Sequence, residues 1–124
     1  MRSASLVALL TLVVANSAVA AENDAPVCNY SGNQQEMNAC ALRNYQAADR
    51  ALNDTYKRVM AGLSDAKKRE LRNLQRAWLK QRDPQCKAQV REYEGGSIWP
   101  LEFHACLQAA TEQRTRVLET WSKP

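Results

Sequence analysis

The stretch that decides the fold is residues 37 to 63, MNACALRNYQAADRALNDTYKRVMAGL. Its apolar residues recur at steps of three or four positions, which places all of them on one stripe of an α-helix. They are Met37, Ala41, Tyr45, Ala48, Leu52, Tyr56, Val59 and Leu63. A helix of this kind is stabilised mainly by burying its stripe, and two later segments with the same periodicity supply the partners.

Capping residues predict where the first two helices begin and end. Asn33, followed three residues later by Glu36, resembles a capping box, so helix 1 is expected to begin there and to run to about residue 61. Gly62 is expected to end this helix, because glycine tolerates a positive φ. Ser64 is the predicted N-cap of helix 2, which extends from about residue 65 towards residue 93.

Two prolines and a glycine pair organise the second half of the chain. Pro84 disfavours helix at the preceding residue, so we expect a kink, or a restart with Asp83 as N-cap. Residues 94–97 predict a loop, after which helix 3 begins near Trp99. The predicted inward-facing positions are Leu71, Leu74, Trp78 and Arg82 in helix 2, and Trp99, Phe103, Cys106, Leu107, Ala110, Val117, Leu118 and Trp121 in helix 3. Short connections between the helices predict an all-α, antiparallel three-helix bundle.

The first 20 residues have the features of an export signal. Arg2 is followed by an apolar run over residues 6–15 that is too short to span a bilayer, and Ala18-Val19-Ala20 fits the cleavage rule. We expect cleavage before Ala21, in preference to retention of the segment as an anchor. The mature chain would then be one domain over residues 21–124, without a membrane anchor, in the bacterial periplasm or secreted.

The charge of the chain is mildly basic. The formal charge of +4 falls to +3 in the mature chain, because Arg2 leaves and no acid does. The basic run Lys67-Lys68-Arg69 falls in the first turns of helix 2, where a solvated helix face is a better interpretation than a polyanion site. We therefore expect no nucleic-acid binding.

The four cysteines predict two disulfides, because an even count in a small exported domain is typical of a disulfide framework. A zinc site is disfavoured, since no two cysteines are close in sequence and His104 is the only histidine. Of the three possible pairings, Cys28–Cys86 with Cys40–Cys106 joins the most elements. The register also allows Cys40–Cys86 with Cys28–Cys106.

A polar line runs beside the stripe of helix 1 and predicts contacts to helix 2. Asp49 and Asn53 lie one turn apart, at heights that match Arg82 and Gln75 in an antiparallel pair. We expect an Asp49–Arg82 ion pair and an Asn53–Gln75 amide contact. A polar network that fixes the helix register is favoured over a ligand site, because buried polar groups need partners.

The sequence offers little catalytic chemistry, and its best candidate for binding is a loop. The single His104 excludes multi-histidine metal sites and leaves no partner for a histidine-based triad, so we expect no enzyme, no cofactor and no metal. The candidate binding loop consists of Glu94, Gly95, Gly96, Ser97 and Trp99. Exposed loops on rigid scaffolds often bind, and aromatic residues are frequent binding hot spots. The alternative is that the glycines only make the turn and that Trp99 caps the core.

Several short motifs follow one another along the mature chain. They are Glu36-Met37-Asn38-Ala39-Cys40-Ala41, Tyr45, Ala48-Asp49, Leu52-Asn53, Tyr56, Leu71, Gln75-Arg76-Ala77-Trp78, Arg82-Asp83, Cys86, Gly95-Gly96-Ser97, Cys106, Thr111 and Arg114. In this order they resemble the LprI-type family, also catalogued as the DUF1311 domain and named after a lysozyme inhibitor. The resemblance implies a small, helical, disulfide-bearing protein of the bacterial envelope.

Two functions are compatible with this resemblance. One is a periplasmic inhibitor that blocks a lysozyme-type glycoside hydrolase by occlusion. The other is a non-inhibitory interaction or structural module of the envelope that binds another envelope protein. The positive charge of the chain matches that of animal lysozymes in sign, so long-range attraction does not favour an encounter with a lysozyme. A local cationic loop could still enter a carboxylate-lined cleft, so the net charge does not exclude inhibition.

Overall fold

The computed structural model of the protein describes residue 28 and residues 32–122. This part of the chain forms three helices, α1 (Gln34–Ala61), α2 (Asp65–Gln89) and α3 (Trp99–Thr120), with a short 3-10 helix, Arg91–Tyr93, between α2 and α3. The predicted export signal and most of the segment that precedes α1 lie outside the described residues.

Both predicted N-caps are present. The Asn33 side-chain oxygen accepts a hydrogen bond from the Glu36 amide at 2.9 Å, and its amide group donates to the Glu36 carboxylate at 3.2 Å. The Ser64 hydroxyl oxygen accepts from the Lys67 amide at 3.3 Å. Gly62 ends α1, but the expected positive φ is wrong, because its φ is −94°. Its N–H bonds the carbonyl three residues earlier at 3.1 Å, a tight closing turn that needs no left-handed residue.

The predicted restart at Pro84 is also wrong, because α2 continues through this residue to Gln89. Pro84 and Lys80, whose carbonyl loses its usual partner, are both exposed. Water can therefore replace the missing bond, which lowers the cost of a proline inside a helix. Asp83 does not act as an N-cap, and its carboxylate instead accepts a hydrogen bond from Arg82 Nε at 2.9 Å.

Two contacts fix the direction of α3 relative to α1. Asn38 Nδ2 donates to the Ser97 carbonyl at 2.9 Å, and the rings of Tyr45 and His104 stack with their centroids 6.0 Å apart. Both pairs are separated by 59 residues (97−38 and 104−45), so α1 and α3 run in the same direction. The short connection from α1 makes α2 antiparallel to both, which confirms the predicted all-α, antiparallel three-helix bundle.

The centre of the bundle is formed by aliphatic side chains from all three helices. The buried cluster is Leu52, Val59, Leu71 and Leu118, with Tyr56, Met60, Leu63, Trp78 and Trp121 packed around it. Buried Ala41 and Ala48 add small side chains to the inner face of α1. Small residues on an inner face let neighbouring helix axes approach closely, which favours a compact bundle.

Two predicted inward positions are exposed, and two polar residues are buried instead. Leu74 is 47% exposed and Val117 is 39% exposed. Gln75 and Thr111 are buried. At 3.6 residues per turn, the position four residues after Leu71 lies on the inner face, while the position three residues after it turns towards solvent.

The structure contains two disulfides, as predicted, but neither considered pairing is correct. Cys28 bonds Cys40, and Cys86 bonds Cys106. The constant offset of 59 residues places Cys40 level with residue 99, which lies two turns, or about 10 Å, below Cys106 along the parallel helices. A disulfide needs Cα atoms within about 7 Å, so Cys40–Cys106 is excluded. The observed bonds tie the preceding segment to α1 and α2 to α3.

Candidate functional site

The predicted binding loop connects α2 to α3 and has a fixed backbone. Gly95 has φ +81°, a conformation that favours glycine. The Gly96 amide donates to the Tyr93 carbonyl at 3.0 Å, and a Cβ added at Gly96 would lie 3.2 Å from the same oxygen. Asn38, on α1, donates a hydrogen bond from Nδ2 to the Ser97 carbonyl of the loop. The glycine pair therefore makes the turn, and the hydrogen bond from α1 anchors it.

Apolar side chains follow the glycine pair at the start of α3. Ile98 is 37% exposed. Trp99 is half-buried and stacks on Phe103, with the ring centroids 4.7 Å apart. Trp99 is therefore partly a core residue and partly accessible. Ile98 is the exposed large apolar residue of this segment.

Carboxylates surround the same loop. Glu92 and Glu94 are exposed and Glu102 is half-buried, while Arg91 is the single basic residue between positions 88 and 103. The charge of Glu92, and after it that of Glu102, raises the pKa of the Tyr93 phenol, so both carboxylates act on this ring. We define the loop surface as residues 92–98 together with Glu102. It is acidic, although the whole chain carries a formal charge of +4.

Both disulfides lie in the half of the bundle that carries the loop surface. Cys86–Cys106 closes the segment of the chain that contains the loop, with a sequence separation of 20 residues. The Cys28–Cys40 disulfide holds Cys28 against the first turns of α1, and Asn44 Nδ2 donates to Cys28 Sγ at 3.0 Å. The loop surface therefore stands on a covalently restrained scaffold, which is the usual setting of a binding loop.

The predicted polar contact between α1 and α2 is centred on Arg82. Arg82 Nη1 bonds Asp49 Oδ1 at 3.1 Å, while Arg82 Nε bonds Asp83 Oδ1 at 2.9 Å. The guanidinium carbon lies 5.2 Å from the ring centroid of Tyr45 and 5.4 Å from that of Trp78. Stacking between two rings with two carboxylates in reach satisfies this buried cation by cation–π and charge-assisted contacts.

Burial and the charges of neighbouring residues shift the pKa values of Arg82 and Tyr45. Burial lowers the pKa of Arg82, but the hydrogen bond from Arg82 to Asp83 and the nearby negative charges outweigh it, so the net pKa is raised. Burial is also the main reason that the pKa of Tyr45 is raised. Arg82 therefore stays charged and Tyr45 stays neutral at physiological pH.

The predicted Asn53–Gln75 amide contact is wrong. Gln75 Oε1 accepts from Arg114 Nε of α3 at 2.8 Å, while Asn53 is exposed. The Arg114 guanidinium lies 5.8 Å from the Trp78 ring, and burial lowers its pKa. The polar network therefore joins α2 to α3 as well as to α1. Arg82 Nη1 also donates to the Thr111 hydroxyl at 3.4 Å, a second α3 contact that the two-helix register did not include.

His104 is placed by aromatic packing. Its ring stacks on Tyr45 and lies tilted against Phe103, with a centroid distance of 5.5 Å to the latter. Its Nδ1 is buried and has no hydrogen-bond partner among the described residues. Within residue 28 and residues 32–122, no group of three or more His, Cys, Asp or Glu side chains is arranged to hold a metal ion. The surroundings of His104 are those of a packed ring.

The fold defines a small, all-helical protein that two disulfides staple. The chain belongs to the lysozyme inhibitor LprI family, whose model matches residues 28–118. It is 33% identical, over 90% of each chain, to the "Uncharacterized protein R02472" of Rhizobium meliloti (strain 1021). No solved structure matches the chain. Among the described residues, no helix is long and apolar enough to cross a membrane.

Proposed function

We propose that this protein is an exported, non-catalytic inhibitor that binds a lysozyme-type muramidase and covers its substrate cleft with the loop surface. The observation that carries this proposal is an exposed apolar residue, Ile98, on an anchored loop that carboxylates surround. Membership of the lysozyme inhibitor LprI family supports this class of partner.

The restrained backbone favours binding without a large ordering cost. The loop is held by the Asn38–Ser97 hydrogen bond at 2.9 Å and by the Cys86–Cys106 bridge. A loop that is already ordered loses little conformational entropy when it docks, so more of the contact energy appears as affinity. A rigid protrusion also blocks a cleft better than a mobile one.

The local charge of the loop surface changes the electrostatic argument made from the whole chain. The net positive charge of the whole chain predicts long-range repulsion from a basic lysozyme, whereas residues 88–103 contain three acids and one base. Charges beyond about 10 Å are largely screened at physiological ionic strength. The acidic loop surface therefore governs the encounter, and it complements the basic surface of an animal lysozyme.

An inhibition assay tests this proposal. The purified, oxidised protein is added to a muramidase that clears a suspension of bacterial cell walls, and Ile98→Asp is compared with Val117→Asp. The two residues are similarly exposed, at 37% and 39%. They lie about 28 Å apart along α3, so only Ile98 belongs to the loop surface.

We expect inhibition by the native protein and by Val117→Asp. The Ile98→Asp variant should inhibit about 10- to 100-fold more weakly, since burial of one large apolar side chain contributes about 1.5–3 kcal/mol. Equal inhibition by both variants would exclude the loop surface. If the native protein inhibits no muramidase, the non-inhibitory envelope module becomes the better function.

A further inference from the structure

A second candidate site lies in the outer groove between α1 and α2. The groove has a volume of about 250 Å³. Its lining residues are Asn53, Tyr56, Arg72, Gln75, Arg76 and Leu79. It is separate from the loop surface, since Gln75 and residue 92 are 17 positions apart, or about 25 Å along the helical rise.

The lining of this groove is rich in hydrogen-bond donors and contains no acid. Arg72 and Arg76 lie one turn apart on α2, and neither belongs to an ion pair or a side-chain hydrogen bond in the described part of the chain. By contrast, the two arginines of the inner network, Arg82 and Arg114, have polar partners. Two unpaired guanidinium groups beside one groove concentrate positive charge there.

Neutral donors complete the lining. Gln75 accepts from Arg114 through Oε1, which directs its acceptor inwards and leaves its amide nitrogen as the group available to a ligand. Asn53 supplies an amide and Tyr56 a hydroxyl from α1. Leu79 adds an exposed apolar side chain, 44% accessible, at one end. This combination suits an anionic oxygen group attached to an apolar body.

The helical neighbours of the groove include three basic residues, and the two acids that lie one turn from its lining, Asp49 and Asp83, are both paired with Arg82. Lys57 lies one turn beyond Asn53 on α1, and Arg69 and Lys80 lie about one turn beyond the two groove arginines on α2. Asp54 is adjacent on α1 but does not line the groove. We propose that the α1–α2 groove binds an oxyanion group, a phosphate or a carboxylate, whose apolar attachment lies against Leu79.

A titration followed by amide NMR tests this site in the full oxidised protein. The probes are phenyl phosphate, benzoate, inorganic phosphate and phenol, which separate the two anions from each other and from the apolar body. The variants are Arg72→Gln and Arg76→Gln, with exposed Arg116→Gln on α3 as the matched control. Thermal unfolding of each variant verifies that it is folded, and exposed Arg76 keeps the test available if half-buried Arg72 is needed for folding.

We expect millimolar binding of phenyl phosphate or benzoate, with shifts at the groove residues. Either groove variant should weaken binding at least fivefold, while Arg116→Gln should change it less than twofold. If phenyl phosphate binds more tightly than benzoate, the ligand group is a phosphate, and the reverse order indicates a carboxylate. Tighter binding of phenyl phosphate than of inorganic phosphate indicates that the apolar body contacts Leu79. Binding of phenol as tight as that of the anions, or equal loss in all three variants, would overturn the proposal. Neither result bears on the loop surface, which the muramidase assay tests separately.

Discussion

Removal of the Asp49 carboxylate tests whether the polar network around Arg82 is structural. The Arg82 side chain is 9% exposed, and Asp49 bonds it at 3.1 Å across α1 and α2. In Asp49→Ala the guanidinium stays buried between the rings of Tyr45 and Trp78 but loses its carboxylate partner on α1. The variant therefore leaves a partly unsatisfied charge in a nearly dry site.

The expected loss of stability in Asp49→Ala depends on how exposed Asp49 and Asp83 are. Loss of one partner from a buried ion pair costs about 3–5 kcal/mol, and a hydrogen bond to a charged group contributes about 1.5–3 kcal/mol. Asp49 is itself 37% exposed, and Asp83 keeps a 2.9 Å contact with Arg82. We therefore expect a loss of about 2 kcal/mol in the free energy of unfolding, which is less than the cost of breaking a fully buried pair and within the range for a hydrogen bond to a charged group.

Thermal and urea unfolding of the oxidised protein measure this loss. For a domain of this size, about 2 kcal/mol corresponds to a decrease in Tm of about 8–16 °C. Asp83→Ala is the matched control, because its carboxylate is 51% exposed and contributes less than about 1 kcal/mol. If Asp49→Ala is as stable as the native protein, or less destabilised than Asp83→Ala, the network is not structural and a ligand site at Asp49 must be considered.

Three further predictions concern the disulfides and the half-buried Tyr45. Digestion without reduction is expected to yield peptides that link Cys28 to Cys40 and Cys86 to Cys106, and a peptide linking Cys40 to Cys106 would contradict the fold. Replacing both Cys86 and Cys106 with Ser should lower the free energy of unfolding by about 3 kcal/mol, as urea titration measures. Burial raises the pKa of Tyr45, so above about pH 10 the unfolded chain releases a proton that the folded chain retains, and stability falls as pH rises. Tyr45→Phe should reduce this fall above about pH 10, and an unchanged fall would exclude Tyr45 as its source.

The fold was predictable because its determinants are local. The stripe of α1 and the caps at Asn33 and Ser64 depend on the spacing of a few residues. The wrong predictions concern residues whose placement depends on solvent exposure or on the position of α3. Pro84 is tolerated because its face of α2 meets water, and Leu74 is exposed because Gln75 takes the inner position.

The pairing of the cysteines and the amide network required the position of α3. The predicted register compared α1 with α2, whereas Gln75 bonds Arg114 and Cys86 bonds Cys106, both on α3. Two side chains form a hydrogen bond or a disulfide only if they lie at the same level along the bundle and also point towards each other. Where the side chains of α3 point depends on the rotation of α3 about its own axis.

The sequence indicates the candidate loop, but the net charge of the whole chain does not indicate that the loop is acidic. Glu92 and Glu102 lie outside the predicted binding residues, and both act on Tyr93 in the folded chain. The net charge of the whole sequence, +4, does not show this local excess of acidic residues. Charge counted over residues 88–103 alone would have indicated an acidic surface.

The most direct test of the proposed binding surface is an NMR footprint of the oxidised protein with an added animal lysozyme. Binding through the loop surface predicts that amide resonances of residues 92–102 shift or broaden most. Resonances around Gly62 and Val117, at the other end of the bundle, should change little. The proposal is contradicted if lysozyme leaves the spectrum unchanged, or if the changes are confined to the α1–α2 groove.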